Sequence, residues 1–227
     1  MRYQIVALQR IAWLIVFVCG IALLAGCSAE ARFRLNAAFQ RKMENELSGP
    51  LGTDDSADME EFRFTDSQIH NISDILEGTF GTPDDPFFPA VYDDEGNEIA
   101  VVDRDRLRMA AGAVGKDETG QERGLYRKHC AHCHGITGDG FGPTAAFLNP
   151  YPRDYRLGKF KFKSTPIGAK PTDDDLMRLL NKGIAGTAMP SFFVLKEFEK
   201  RALIDYVKYL SIRGEVERRL TPNRVPD

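Results

Sequence analysis

The sequence holds few of the residues that most often carry metal and thiol chemistry. It has four histidines and four cysteines among 227 residues. Three of the histidines and two of the cysteines fall within residues 129–134, and the remaining histidine, His70, is expected on a helix surface. There is no internal repeat, which excludes a solenoid architecture. Histidine and cysteine ligands of a metal or cofactor are therefore expected in one short segment of the chain.

Long apolar runs are also lacking. The longest one spans residues 11–27, 17 residues in all, whereas a membrane-spanning helix needs about 20 apolar residues. Arginines precede this run, and small residues stand at its end. A basic start, an apolar stretch and small residues at a cleavage point are typical of a signal peptide, here residues 1–26. The alternative interpretation is an uncleaved N-terminal transmembrane anchor.

Cys27 directly follows Leu24-Ala25-Gly26, and this arrangement resembles the bacterial lipobox. The resemblance implies cleavage before Cys27 and lipidation of its thiol and new amino group. Several acyl chains give stable membrane anchoring where one chain would be marginal. Both interpretations predict a chain on the periplasmic, extracytoplasmic side of a bacterial membrane, and no nucleic acid is expected as a partner.

Residues 130–134 read Cys-Ala-His-Cys-His, the spacing that attaches a c-type haem. Positions i and i+3 share one face of a helical turn, so Cys130 and Cys133 can both reach the edge of a porphyrin. His134 then follows as the proximal iron ligand. The motif predicts one covalently bound haem c, and with Cys27 lipidated and Cys19 removed with the signal peptide, no pair of cysteines remains for a structural disulfide.

Three kinds of site compete with haem attachment for this motif. A thioredoxin-like CxxC site needs a long helix after the motif, but a turn-rich stretch rich in glycine follows here. A structural zinc site needs two more ligands, and His129 and His132 lie within the same turn, where they cannot complete a tetrahedron. A simple disulfide leaves His134 unexplained.

Met189 is predicted as the sixth ligand of the iron. It lies in a loop between two predicted helices, where Gly183 and Gly186 end the first helix and Pro190 prevents a new one. Pairing methionine with histidine raises the potential of cytochromes c. Met177 lies on a helix face and is better explained as a core residue. The alternative for Met189 is a packed loop methionine without a ligand role.

With these motifs, residues 117–213 resemble a class I monohaem bacterial cytochrome c. The resemblance implies a mainly α-helical domain around a covalent haem, with the haem motif on the first helix, here expected over 117–132, and a last helix over 196–212 that crosses it. It also implies that the carbonyl of Pro143, in the Gly142-Pro143 pair, accepts the second ring proton of His134. Such a bond fixes the tautomer and the orientation of the ring.

Residues 149–170 form a stretch longer than the smallest members of that family have. Within it, residues 159–163 alternate lysine and phenylalanine, which predicts a short extended segment. The phenylalanines can cover a haem edge, or the segment can be an ordinary hairpin with one solvent-exposed face. Basic residues of this stretch are predicted to steer an acidic redox partner, namely Arg153, Arg156, Lys159, Lys161 and Lys163.

The expected domain organisation is a signal peptide over 1–26, a lipid-anchored acidic extension or linker over 27–115 that is irregular and partly helical, a cytochrome c domain over 116–213 and a polar tail over 214–227. Residues 28–115 carry 19 acidic and 8 basic side chains, and residues 116–227 carry 14 acidic and 20 basic ones. One hypothesis is that the acidic extension folds back on the haem domain and tunes access to it. The other is a solvated tether.

The predicted function is single-electron transfer in a respiratory chain by a membrane-anchored carrier that is not itself an enzyme. The resemblance suggests a quinol-oxidising complex or a terminal oxidase as redox partner. Two alternatives stay open: a permanent haem c subunit of a larger membrane oxidoreductase, and a five-coordinate haem enzyme or gas sensor. The last requires Met189 to be off the iron.

Overall fold

The computed structural model describes residues 30–35 and 65–221. This part of the chain is mainly α-helical, with two small hairpins and two short 3-10 turns. Its helices are α1 (Asp66–Phe80), α2 (Arg104–Ala110), α3 (Leu125–His129), α4 (Ala131–His134), α5 (Asp173–Lys182) and α6 (Glu197–Leu220). Its strands are β1 (Val91–Tyr92), β2 (Glu98–Ile99), β3 (Gly115–Lys116) and β4 (Glu122–Arg123), and its 3-10 turns are Ala145–Phe147 and Tyr155–Leu157. The predicted fold class is confirmed.

Helix α1 begins with a capping box, because the Thr65 hydroxyl accepts the Gln68 backbone N–H and the Gln68 side chain accepts the Thr65 backbone N–H. Its apolar face carries the buried side chains of Ile72, Leu76 and Phe80. Helix α1 thus buries one apolar face, and the short strands β1 and β2 that follow pair as an antiparallel hairpin.

The helix expected over 117–132 begins later than predicted, at Leu125. Residues 115–123 instead form the antiparallel hairpin of β3 and β4. The reason is local, because the Asp117 carboxylate accepts the backbone N–H groups of Thr119 and Gln121 and Gly120 turns the chain with φ of 83°. Side-chain acceptors of this kind compete with helix formation.

Gly124 allows the backbone just before β3 to approach the start of α3 closely. A Cβ on Gly124 would lie 2.5 Å from the Ala113 carbonyl oxygen and 2.6 Å from the Val114 Cα. Gly124 also has φ of 76°, which favours glycine. The residue therefore serves the close packing of the β3–β4 hairpin at the start of α3.

Helix α5 has Thr172 as its N-cap and ends at Gly183 as expected. Helix α6 is longer than predicted, because it continues past residue 212 to Leu220. The added turns pack on the 3-10 turn Tyr155–Leu157 and bury the side chains of Arg213 and Glu217. Most of the expected polar tail is thus part of the folded unit.

One hydrophobic core joins α1, α2, α3, α5 and α6. Leu76 and Phe80 of the expected extension lie in the same core as Tyr206 and Tyr209 of α6, and Tyr209 donates a hydrogen bond to the Phe80 carbonyl. The structure therefore differs from the expected boundary at residue 115, since residues 65–115 pack against the helices that follow.

Two glycine substitutions are expected to change stability in opposite directions. Gly214 lies inside α6, and a Cβ there would come within 2.1 Å of the Arg156 carbonyl oxygen. Gly214→Ala is expected to lower the free energy of unfolding by about 1–3 kcal/mol. Gly78→Ala in α1 meets no atom within 4 Å and is expected to raise it by up to about 1 kcal/mol. Urea unfolding measures both, and equal effects would contradict the close approach at Gly214.

Candidate functional site

The Cys-Ala-His-Cys-His motif forms one tight helical turn, as its spacing predicts. The backbone N–H groups of Cys133 and His134 both donate to the Cys130 carbonyl, at 3.2 and 2.9 Å. The loop that follows folds back on this turn, because the Gly142 N–H donates to the Cys133 carbonyl at 3.1 Å. A Cβ on Gly142 would lie 2.4 Å from the His132 carbonyl oxygen, so only glycine fits here. The turn thus places both thiols and His134 on one short, supported segment.

The two thiols of the motif are free and lie in different surroundings. Burial raises the pKa of the Cys130 thiol to about 12, so it is protonated at neutral pH. The Cys133 Sγ lies 3.3 Å from the Thr144 hydroxyl, which donates its own proton to the His132 carbonyl. The Cys133 thiol is therefore the donor in this contact, and no disulfide joins it to Cys130.

His134 is buried and held through both ring nitrogens. Its Nδ1 lies 3.0 Å from the Arg153 carbonyl oxygen, and its Nε2 lies 3.0 Å from the Tyr155 hydroxyl. A carbonyl can only accept, so Nδ1 carries the proton and Nε2 presents its lone pair. Burial lowers the pKa of His134, which favours this neutral form. The chain therefore fixes the tautomer in which Nε2 is the nitrogen able to bind a metal.

Pro143 does not take the role that the family resemblance implies. Its side chain lies outside the wall of the cavity, and the carbonyl opposite Nδ1 of His134 belongs to Arg153. The longer stretch after residue 149 explains the change, because it brings residues 152–155 across the motif: the Tyr155 N–H donates to the Gly138 carbonyl at 2.8 Å. The expected kind of bond is present, but a different residue supplies it.

Met189 lies in a loop that several hydrogen bonds hold in place. Its carbonyl accepts the Ile184 N–H at 3.1 Å, and its own N–H donates to the Thr187 hydroxyl at 3.1 Å. The Phe192 N–H donates to the Leu180 carbonyl at 2.7 Å, which ties the loop to α5. Met189 is partly buried and faces the same cavity as His134. The loop therefore presents its thioether from a fixed backbone.

A cavity of about 340 Å³ brings the predicted site residues together. Cys130, Cys133, His134 and Met189 all line it, and no described residue of 30–35 or 65–115 does. The rest of its wall is mostly apolar and comes from the segment after the motif, the Met189 loop and the facing sides of α5 and α6: Leu148, Pro150, Pro152, Phe160, Phe162, Leu176, Leu179, Leu180, Ile184, Phe192, Leu203, Ile204 and Val207. The described part of the expected acidic extension thus packs on the domain without lining the cavity.

These residues fit a covalently bound haem. The donor set is two free thiols, one imidazole with its Nε2 lone pair available and one thioether, which are the groups that c-type haem uses. A largely apolar wall suits a porphyrin, and the cavity volume lies within the usual range for ligand sites. Iron binding at Nε2 requires the Tyr155 hydroxyl to give up its present hydrogen bond. Among the described residues there is no cluster of three or more His, Cys, Asp or Glu side chains that could hold another metal ion.

The alternating residues 159–163 do not form a strand in the structure. Both phenylalanines nevertheless face the cavity, and the ring of Phe160 stacks on Tyr155 with centroids 6.4 Å apart. The hairpin alternative is therefore wrong for this segment. The chain is instead irregular here, and its aromatic side chains form part of the cavity wall.

The predicted docking residues divide into exposed and buried ones. Arg153, Lys159 and Lys161 are exposed, and Lys163 is half-buried with its ammonium donating to the Thr165 carbonyl. The docking prediction is wrong for Arg156, because this residue is only 3% exposed. Its guanidinium pairs with Asp154 at 3.3 Å and donates to the Arg34 carbonyl at 3.2 Å. Arg156 therefore serves internal packing and is not available to a partner.

Tyr155 and the Arg153 carbonyl are functional groups that sequence analysis missed. The Tyr155 ring stacks on His134 with centroids 4.5 Å apart and an interplanar angle of 21°. Burial raises the pKa of the Tyr155 hydroxyl well above its usual value, so it stays protonated and can donate to Nε2. A tyrosine followed by an arginine carries no spacing signal toward a histidine 21 positions earlier, so only the fold reveals this contact.

Asp175 anchors the stretch after the motif to α5. Its carboxylate accepts the Ser164 backbone N–H and hydroxyl, each at 3.0 Å, and contacts Arg178 at 2.6 Å. The Ser164 backbone hydrogen bond is the largest cause that lowers the pKa of Asp175, and bonds from Thr172 and Arg178 add to it. A carboxyl group this strongly bonded stabilises the fold only in its charged form.

Asp175→Asn is expected to lower stability at neutral pH and to reduce its dependence on acid. Because the folded-state pKa is lowered, the stabilisation from Asp175 is present above the unfolded pKa of about 4 and is lost as the pH falls through the folded value. Urea unfolding at pH 7 and at lower pH measures the slope. Asp174→Asn, at an exposed position beside it, serves as the control. Equal slopes in the variant and the parent would contradict this role.

The predicted signal peptide and Cys27 lie outside the described residues. Within the described part of the chain, no helix has both the length and the apolar character that crossing a membrane requires.

One family model matches the part of the chain that holds the site. Residues 117–207 match the family model described as cytochrome c oxidase, cbb3-type, subunit III. Among solved structures, a chain of the reducing HAO-like protein complex of Kuenenia stuttgartiensis is 34% identical, with a TM-score of 0.37. The match covers 43% of this chain and 42% of that one, so less than half of either chain is compared. No curated protein sequence matches the chain.

Residues 117–207 therefore match a cytochrome c family domain. Such a domain implies a c-type haem and a role in electron transfer. The matched range contains Cys130, Cys133, His134 and Met189, the residues that the structure brings to one cavity.

Proposed function

We propose that this protein is an extracytoplasmic single-electron carrier, anchored to a bacterial membrane through lipid on Cys27, with one haem c that His134 and Met189 ligate. One observation supports the ligand assignment above all others. A single, mostly apolar cavity receives the two thiols of the motif, the imidazole of His134 and the thioether of Met189. If His134 and Met189 both held the iron, no open metal position would be left for a substrate, which favours a carrier over an enzyme.

The residues of the chain each serve a distinct part of this function. The thiols of Cys130 and Cys133 would bind the haem covalently, and the Arg153 carbonyl holds the ring of His134 in one orientation. The apolar wall excludes water, and the hydrogen-bonded loop keeps Met189 in place, so little has to rearrange when charge changes. The haem, when bound, supplies the one-electron chemistry itself.

Mass spectrometry of the mature protein tests the proposal most directly. The expected mass is that of the chain from Cys27 onward plus one haem and the acyl groups. An uncleaved N-terminus would support the transmembrane alternative. A chain with both motif thiols free to react with an alkylating reagent would overturn the proposal as a whole. An absorption band at the red end of the spectrum of the oxidised protein, typical of methionine–iron ligation, tests Met189 separately.

Basic residues near the cavity are proposed to steer the redox partner. Lys159→Glu together with Lys161→Glu is expected to slow association with an acidic partner about 10-fold or more at low ionic strength, with a smaller effect at high salt. Lys116→Glu, an exposed lysine on β3 that does not line the cavity, is the matched control. Stopped-flow electron transfer against an acidic redox protein at several salt concentrations measures this. Equal slowing in both variants would contradict a localised docking site.

A second candidate function is a permanent haem c subunit of a larger oxidoreductase. The matched family is described as an oxidase subunit, and large apolar side chains close in sequence to the cavity wall are exposed, with Phe147 at 87% and Phe193 at 71%. Contiguous exposed apolar surface often marks a protein interface. Purification of the intact chain from its native membrane distinguishes the two functions, because a permanent subunit co-purifies with stoichiometric partners.

A further inference from the structure

We propose that residues 31–35 form a clasp that pins the membrane-proximal end of the chain to the side of α6 opposite the haem cavity. The cavity then opens toward the aqueous phase, and its redox partner is a soluble or peripheral protein domain. This inference rests on the membrane anchor at Cys27 proposed above.

The clasp has contacts at each end and at its centre. At its start, the Ala31 N–H donates to the Asp84 carboxylate at 2.7 Å, and the same carboxylate pairs with Arg127 of α3. At its other end, the Arg34 carbonyl accepts a hydrogen bond from the buried guanidinium of Arg156 at 3.2 Å. Backbone groups are thus fixed at both ends by residues that are themselves held in the fold.

Phe33 provides the central contact of the clasp. Its ring lies against Tyr209 with centroids 6.2 Å apart, and the guanidinium carbon of Arg213 lies 3.8 Å from its centroid. Arg213 is only 3% exposed, so this cation–π contact is formed away from water, where such contacts are strongest. The segment is therefore seated in a formed site and does not merely pass over the surface.

Helix geometry places this site away from the cavity. Leu203, Ile204 and Val207 of α6 line the cavity, whereas Tyr209 and Arg213 of the same helix contact Phe33. Each residue of an α-helix turns by about 100°, so the mean directions of the two sets differ by about 150°. The clasp and the cavity therefore lie on nearly opposite sides of α6.

The short segment between Cys27 and the clasp sets the orientation of the domain at the membrane. Ala31 lies four positions after Cys27, and a fully extended chain covers at most about 14 Å over those four steps. With lipid on Cys27, the clasped side of the domain is held at the membrane surface. The opposite side, where the cavity lies, then faces water. The basic residues near the cavity are consequently presented to an acidic partner from the aqueous phase.

Spin labels on the mature, lipidated holoprotein in vesicles test this orientation. One label replaces Asp74, one turn before the Glu77 that contacts Arg32 of the clasp, and the other replaces Phe162 in the cavity wall. Nickel ions bound to chelating lipid headgroups raise the relaxation rate of a spin label, and the increase is larger the closer the label lies to the membrane. The label of Asp74→Cys is expected to relax severalfold faster than that of Phe162→Cys. Equal or reversed relaxation in a chain that binds the vesicles would overturn the clasp.

Two changes release the orientation in different ways. Phe33→Ala is expected to reduce the difference between the labels, whereas Arg32→Ala, which removes only an exposed ion pair at 3.6 Å, is expected to leave it unchanged. Ten glycine and serine residues inserted before Glu30 also reduce the difference, because the clasp stays intact while the tether lengthens. A chain that fails to bind vesicles overturns the anchor and with it this orientation, a result distinct from equal relaxation of a bound chain.

Discussion

Met189→Ala is expected to abolish the red absorption band of the oxidised protein and to lower its reduction potential on the order of tenths of a volt. Axial ligands set haem potentials over a range of about 0.8 V, and methionine is the ligand that raises the potential in cytochromes c. The variant is also expected to bind carbon monoxide promptly, because the position that the thioether occupied becomes accessible. Optical spectroscopy and potentiometric titration measure these effects.

Met177→Ala is the matched control for Met189. Met177 lies on α5, is partly buried against the hydrophobic core and does not line the cavity. Its removal is expected to cost stability while the absorption band and the potential stay close to those of the parent protein. An unmodified protein without the red band, or one that binds carbon monoxide at once, would contradict the carrier and favour the alternative of a haem enzyme or gas sensor.

The haem motif and its partner loop could be predicted from the sequence because their chemistry constrains local spacing. Two thioether bonds to one ring require Cys130 and Cys133 on one helical turn, and His134 has to follow them directly. Likewise, the glycines that end α5 and Pro190 after Met189 enforce an irregular loop. The structure brings all four residues to one cavity, so local rules were sufficient for these positions.

The contacts that complete the site could not be predicted in the same way, because they join residues far apart in the chain. The alternation of charged and aromatic residues around Arg156 resembles an exposed segment, yet its guanidinium bonds to the Arg34 carbonyl and its backbone packs on Gly214. Only the unexpected continuation of α6 to Leu220 makes that burial possible. A basic residue in a polar stretch is exposed by default, and tertiary packing overrides that default here.

The packing of the acidic extension against the rest of the chain could not be predicted from the sequence either. Composition alone suggests an irregular tether over 27–115, since acidic residues and prolines are common there. Apolar residues at helical spacing, such as Leu76 and Phe80, are visible in the sequence, but their partners Tyr206 and Tyr209 lie more than a hundred residues later. Amphipathic periodicity predicts a helix and its buried face, but it does not identify what that face packs against.

Glu217→Leu is expected to lower the free energy of unfolding by about 3–5 kcal/mol, the largest stability effect of any substitution considered for this chain. Glu217 is fully buried and pairs with the buried Arg213 at 2.8 Å. The Nε of Arg213 is buried and lacks a hydrogen-bond partner, so loss of the carboxylate leaves a cation inside the protein without its counter-charge. Urea unfolding of the holoprotein at neutral pH measures the change.

The double variant Arg213→Met with Glu217→Leu separates the cost of an unpaired charge from the loss of packing. Replacing a buried ion pair by apolar residues of similar volume is often neutral or stabilising, so the double variant is expected to be more stable than Glu217→Leu alone. Some of the gain is offset, because the contact between Arg213 and the Phe33 ring at 3.8 Å is lost. A single variant within about 1 kcal/mol of the parent would show that water reaches Arg213, since a solvated cation needs no buried partner.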